Sequence, residues 1–180
     1  MITGVQAAGK TTVGSLLAER LTAPAAAFDG DVFYRMVKVG NVDYTPDASS
    51  EAIRQVHLRY ETARLVTQQY ADNGFNFVYT DIVLGREVSL WMDSLRGVEK
   101  HLVVLIPSAE TIVERELARG GGNSYRDWQS PGTTLLEAVQ AMQSMLNEIP
   151  SRGLWLNTDD QSPVETVEEI LRDDMSSSRY

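Results

Sequence analysis

Cysteine is absent from the 180 residues. That excludes disulfides, a thiolate nucleophile and Cys-ligated zinc. Histidine is scarce. His57 and His101 stand far apart, without the spacing of a helical metal site, so no histidine metal centre is expected. No apolar run approaches the ~18 residues that cross a bilayer. No basic stretch leads into an apolar one at the start, so no secretion signal is visible and cytoplasm is the expected location. Positive charge is short as well: 16 Lys and Arg face 25 Asp and Glu, for a net charge of -9. A general binder of nucleic-acid backbone needs a basic surface, so that class is excluded. Most of the acids read as a solvated face.

What is present is an alternation of strand and helix. Apolar runs at 1–3, 25–28, 75–81, 101–107 and 153–157 read as strands. Helical spacing covers about 10–21, 51–72, 84–95, 108–119, 135–149 and 163–172. In the second of these, Ile53, Val56, Tyr60, Ala63 and Ala71 share one face. The strand runs are continuous instead of alternating, which predicts a parallel α/β sheet with helices on both faces. A single domain over 1–180 accommodates this order. Residues 38–50 are polar and rich in turn formers. Ser162-Pro163 is a helix start, and the tail Met175–Tyr180 is expected to be loose.

The stretch Gly4-Val-Gln-Ala-Ala-Gly-Lys-Thr11 matches the phosphate-loop pattern G-x-x-x-x-G-K-[ST] and opens into a helix. Gly4, Gln6, Ala7, Ala8, Gly9, Lys10, Thr11 and Thr12 are therefore candidates to cradle ATP phosphates. Backbone amides and the positive helix end surround the anion. Lys10 is expected to reach the β- and γ-phosphates, and Thr11 to hold Mg²⁺. Alanine at 7 and 8 suits a tight loop provided neither position needs a positive φ. Only Met1, Ile2 and Thr3 precede Gly4. Either the first strand is unusually brief or the sequence starts a few residues late.

The second strand runs into Asp29-Gly30-Asp31, which is expected to open a functional loop. Ligands of a parallel sheet gather beyond the carboxyl ends of its strands, so one of these acids is expected to orient and deprotonate a hydroxyl. Asp31 is the better placed. In extended chain, residues two apart point the same way, so Asp29 and Asp31 are expected to form a pair. Asp81, just past the third strand, is expected to hold a Mg²⁺-bound water opposite Thr11.

The phosphate loop together with Phe28-Asp29-Gly30-Asp31-Val32-Phe33 resembles the phosphate-loop small-molecule kinases. Among these are chloramphenicol phosphotransferase-like, gluconate-kinase-like and adenylylsulfate-kinase-like enzymes. The resemblance implies a three-layer P-loop kinase fold, with a five-stranded parallel sheet of order 2-3-1-4-5 and a small helical lid at about 115–132. It assigns the base role to Asp31 and metal or acceptor assistance to Asp81. The segment Glu114–Trp128 resembles the lid, which puts Arg115 and Arg119 on the ATP phosphates and makes Gly120-Gly121-Gly122 a hinge. Leu156–Pro163 resembles the turn that lines adenine, with Thr158 and Asp159 as modest candidates. Gluconate-kinase-like proteins carry a histidine where this chain has Tyr34.

The activity implied is transfer of the γ-phosphoryl group from Mg-ATP to a hydroxyl, with Lys10, Asp31 and Arg119 as the catalytic set. The acceptor-side region spans about 31–72. Arg35, Arg54 and Arg59 look scattered there, so a neutral or cationic hydroxylated small molecule is expected. A nucleoside-monophosphate-kinase-like enzyme and a regulatory nucleotide-binding NTPase are the competing readings. The chain is expected to be a monomer or homodimer.

Overall fold

The computed structural model describes residues 1–120 and 124–180. Of the expected glycine hinge, Gly121 and Gly122 lie outside the described residues. Five parallel strands form one sheet: β1 (Ile2–Thr3), β2 (Ala25–Asp29), β3 (Asn76–Thr80), β4 (Val103–Leu105) and β5 (Leu154–Leu156). Their order is β2-β3-β1-β4-β5, as the resemblance implies. β1 is only two residues long, yet it is central. Ile2 pairs with Thr80 on one side and Val103 on the other.

Successive strand residues face opposite sides, and both sides are covered. Ile2, Val78, Val103, Leu105 and Leu156 pack with Val13 and Leu17 of α1 (Lys10–Arg20) and Val167 and Ile170 of α7 (Pro163–Leu171). Tyr79 and Val104 look the other way. They meet Ala63 of α3 (Ser50–Asp72), Val88, Trp91 and Met92 of α4 (Arg86–Ser94), Ile112 of α5 (Ala109–Ala118) and Val139 and Met142 of α6 (Leu135–Ser144). Strands buried on both faces explain the unbroken apolar runs. Among the described residues no helix is long and apolar enough to cross a membrane.

The helix boundaries follow side-chain chemistry. Ser49 and Ser108 accept amide hydrogens at the starts of α3 and α5. Thr134–Glu137 and Ser162–Glu165 form reciprocal capping boxes at α6 and α7. Gly14 lets α1 lie close on the sheet: a β-carbon there would fall 2.3 Å from Thr80 Cγ2.

Three expectations need correction. α3 buries Ala52, Val56, Ala63 and Thr67, whereas Ile53 is exposed, because the buried stripe runs one position away from it. The chain after β2 does not stay in a loop: Asp31–Met36 forms a short helix, α2. The tail is docked, not loose. Leu102 donates its amide to the Ser178 carbonyl, Tyr180 donates to the Lys100 carbonyl, and His101 Nδ1 lies 2.9 Å from Ser178 Oγ. Backbone pairing of this kind leaves no trace in a polar sequence.

Candidate functional site

The phosphate loop leaves β1 at the carboxyl edge of the sheet. Thr3 fixes that exit by donating its hydroxyl to the Val83 carbonyl at 2.5 Å and accepting from the Val83 amide. Ala7 has φ 59° and Gly9 φ 96°. Such alternating backbone is the geometry of an anion-binding nest. The expectation that position 7 would avoid a positive φ is therefore corrected. The turn takes its left-handed residue at an alanine, at a conformational cost of ~1–2 kcal/mol.

Side chains hold the loop by its carbonyls. Lys10 Nζ donates to the Val5 carbonyl at 2.7 Å, and Tyr125 donates its hydroxyl to the Gln6 carbonyl at 2.7 Å. Arg115 reaches the Ala8 carbonyl at 3.5 Å and the Thr158 carbonyl at 2.7 Å. Burial pushes the Lys10 ammonium down to about 8, against the pull of Asp81, Asp31 and Asp29. A desolvated cation next to an amide-lined loop suits a phosphate.

The carboxylates stand at the same edge. Thr11 donates its hydroxyl to Asp29 Oδ2 at 2.5 Å, and the other Asp29 oxygen accepts the Asp31 amide. The acid that meets Thr11 is thus Asp29, where Asp81 was expected. Strand register accounts for this: Asp29 is level with Thr80, and Asp81 lies one residue further on. Asp81 is buried. It accepts the Tyr79 hydroxyl at 2.6 Å and the Ile82 amide at 2.7 Å. Burial raises its carboxyl above the usual range, only partly offset by these bonds, Arg59 and Lys10.

Nor do Asp29 and Asp31 make an extended-chain pair. Gly30 is already helical, with φ −59° and ψ −22°. Asp31 opens α2 and pairs with Arg35 at 3.0 Å. The glycine at 30 answers a need for clearance instead of a special φ. A β-carbon there would fall 2.0 Å from Asp81 Oδ2.

One cavity of about 660 Å³ gathers Gln6, Ala7, Gly9, Lys10 and Thr11 with Asp29, Asp31, Asp81 and Arg119. Its lining also includes Tyr34, Val56, His57, Arg59, Tyr60 and Trp128, so α2 and α3 both contribute to it. His57 lies 3.6 Å from Glu87. Arg54 and Arg64 turn aside to Glu51 and Glu61. Arg119 ends α5, exposed and 3.9 Å from Glu116. Buried Glu116 accepts the amide and hydroxyl of Ser124, so α5 is tied to the residue beside Tyr125. Trp128 both packs on the core and lines the cavity.

Arg115, Thr158 and Asp159 fall outside the cavity lining. The Thr158 carbonyl and hydroxyl both receive Arg115, and Asp159 accepts the Ser108 amide at 2.6 Å. Their bonds brace β5 and α5 against the loop. Sequence reasoning passed over Tyr125, which follows a glycine-rich break with no signal of its own. It counted Arg59 only among the scattered arginines, although a stronger signal did exist. Arg54 and Arg64 have acids three residues before them on α3, whereas Arg59 has none within four residues of helix spacing on the same face.

The same architecture recurs in solved structures. A sugar kinase from Janibacter sp. HTCC2649 superposes with a TM-score of 0.64 at 18% identity, over 94% of this chain and 90% of that one. A gluconokinase from Sinorhizobium meliloti 1021 gives 0.59 at 18%, over 94% and 87%. The Deinococcus radiodurans tunicamycin resistance protein gives 0.62 at 17%, over 94% and 90%. Identities this low carry the fold alone. No curated protein matches the sequence. A family described as an AAA domain matches residues 1–149. The phosphate loop, the strand-end acids and β1 to β4 lie within that span, β5 lies beyond it, and the chain belongs to this AAA-domain family of phosphate-loop proteins.

Proposed function

We propose that the protein transfers the γ-phosphoryl group of ATP to a hydroxyl of a small molecule. One observation carries this reading: the phosphate loop and the strand-end carboxylates open into the same cavity, whose remaining lining is a mixed aromatic and polar surface. A nucleotide switch without an acceptor has no need of that second wall. The fold shared with proteins named sugar kinase and gluconokinase agrees with a hydroxyl acceptor.

The loop amides at the Ala7 and Gly9 turns and the start of α1 bind phosphate oxygens. Lys10 exchanges its bond to the Val5 carbonyl for the β- and γ-phosphates. The donor set fits Mg²⁺, because Thr11 and Asp29 present hard oxygens to each other at 2.5 Å and Asp81 adds a second carboxylate at the same edge. Thr11 and Asp29 would hold the ion, with Asp81 on its water shell; when bound it would neutralise charge on the phosphate oxygens. Asp29 has both oxygens engaged by Thr11 and Asp31, which leaves Asp31 to position the acceptor hydroxyl and take its proton. Arg119 stands at the lid side of the cavity to face charge that develops in transfer.

The test is a screen of hydroxylated metabolites and antibiotics with labelled ATP, read by product mass, on the wild type and Asp31→Asn. Transfer to one class of acceptor, lost in the variant while ATP still binds, is expected. Transfer unchanged by Asp31→Asn would remove its role as base. Hydrolysis alone, equal in both proteins, would point to a nucleotide switch.

A further inference from the structure

The cations around the cavity are not equivalent. Arg35 has Asp31 at 3.0 Å, Arg86 has Glu87 at 3.8 Å, Arg126 has Asp127 at 3.6 Å and Arg119 has Glu116 at 3.9 Å. Lys10 is bonded to the loop itself. Arg59 is the exception. It lines the cavity, yet it has no ion pair and no hydrogen bond among the described residues, and its Nε is buried without a partner. An unpaired buried donor is costly, so its persistence calls for a ligand.

The guanidinium is nevertheless held in place. It lies over the Tyr34 ring, 5.3 Å from its centroid. Tyr34 in turn gives its hydroxyl to Asp43, which also receives Asn41 Nδ2 at 3.2 Å. Stacking on a fixed ring orients the fork and leaves its N–H donors uncommitted. The positive charge is close enough to the strand-end acids to lower the Asp81 carboxyl. Asp81 does not neutralise it, because it makes no ion pair with Arg59 and its oxygens serve Tyr79 and Ile82.

We propose that Arg59 is the specificity-determining anchor for an oxyanion on the acceptor. Resting on the phosphoryl-transfer reading above, this makes the substrate a hydroxylated molecule that also carries a carboxylate or phosphate. Its hydroxyl faces Asp31 and its oxyanion faces the Arg59 fork across the same cavity. A planar guanidinium matches either group with two parallel hydrogen bonds. The scattered arginines of the sequence suggested a neutral or cationic acceptor; a single unpaired arginine inside the cavity replaces that expectation.

The test uses polyols of three to seven carbons, each presented as carboxylate, phosphate monoester, carboxamide and amine. Transfer from ATP is read by mass, and binding to the ADP-saturated protein by calorimetry, with inorganic phosphate as the smallest probe. Transfer is expected only to members bearing an oxyanion, with kcat/KM falling about 100-fold from acid to matched amide. The carboxylate and phosphate arms show which oxyanion is used. Arg59→Gln should raise the acceptor KM about 100-fold, leave ATP affinity unchanged and flatten the acid-to-amide ratio. Arg59→Lys, with charge but no fork, should fall between. The unfolding midpoint of Arg59→Gln should not drop, since the donor removed is unpaired.

Amides or amines used as well as acids, or an acid-to-amide ratio indifferent to Arg59→Gln, would overturn the anchor and leave the kinase reading standing. Arg59-dependent binding of the oxyanion probes without transfer to any of them would keep the anchor and sink the kinase reading. No Arg59-dependent binding of any probe would overturn the anchor outright.

Discussion

On the proposed reading the cavity has a donor half and an acceptor half, and they are built on opposite plans. On the donor side nearly every polar group already has a partner. Lys10, Tyr125 and Arg115 each take a loop carbonyl, and Thr11 meets Asp29. On the acceptor side a buried arginine donor has none among the described residues, and its guanidinium is stacked on the Tyr34 ring. A site for a ligand of fixed shape can be wired in advance, because binding then costs little reorganisation. A site whose ligand defines specificity leaves its decisive donor open, so that molecules lacking the matching group leave it unsatisfied.

The sharpest break between the halves is expected from Asp31→Asn. It keeps the shape of the residue and its bond to Asp29 through the backbone, but removes the proton acceptor. Transfer should fall about 10²–10⁴-fold, while ATP titration should give an unchanged affinity. Equal losses in both measurements would mean that the halves are not separable at Asp31.

Next in size is Gly30→Ala, placed where the halves touch. Its β-carbon must displace the Asp81 carboxylate. Thermal unfolding should show a loss of about 1–3 kcal/mol, the usual cost of overpacking, and transfer should drop with it. A variant of wild-type stability would show that the joint is softer than its packing suggests.

The pH response should separate the halves without mutation. Below about 8, Lys10 is charged in both the free and the nucleotide-bound protein, so ATP affinity is flat. Above about 8 the free protein loses that proton while the phosphate keeps it on in the complex. Affinity then falls by up to about tenfold per pH unit. Acceptor binding does not depend on Lys10 and should not share this fall. Calorimetry without added metal, from pH 6 to 9.5, measures the first against the second.

The smallest effect is expected from Tyr125→Phe. It keeps the buried ring and deletes one hydrogen bond to the Gln6 carbonyl, worth about 1 kcal/mol. ATP affinity should weaken about 5-fold with acceptor KM unchanged. A change in acceptor KM instead would place Tyr125 on the wrong side of the comparison.

The donor half was largely legible in the sequence and the acceptor half was not. A phosphate loop is a local pattern, and unbroken apolar runs announce a doubly covered parallel sheet. Asp29, by contrast, meets Thr11 because of the register between β2 and β3, a relation between distant segments. Tyr125 reaches Gln6 from 119 residues away. The sequence raised the question of a positive φ at Ala7 but could not answer it, since alanine does not announce a left-handed turn. The oddity of Arg59 is visible only once Arg54 and Arg64 are seen taking their own glutamates and nothing among the described residues takes it.

The missing side chain at position 30 has a practical consequence for redesign. A library that randomises the acceptor wall to accept new substrates samples α2, α3 and the segment between them, and Gly30 stands at the gate of that region. Any larger residue there collides with an acid that belongs to the other half. Random variation that includes position 30 would spend most of its members on proteins impaired in both functions at once. Variation that leaves it fixed lets the acceptor side drift while the phosphate machinery is inherited intact. One hydrogen atom in place of a methyl group thus sets the border between what this scaffold can vary and what it must keep.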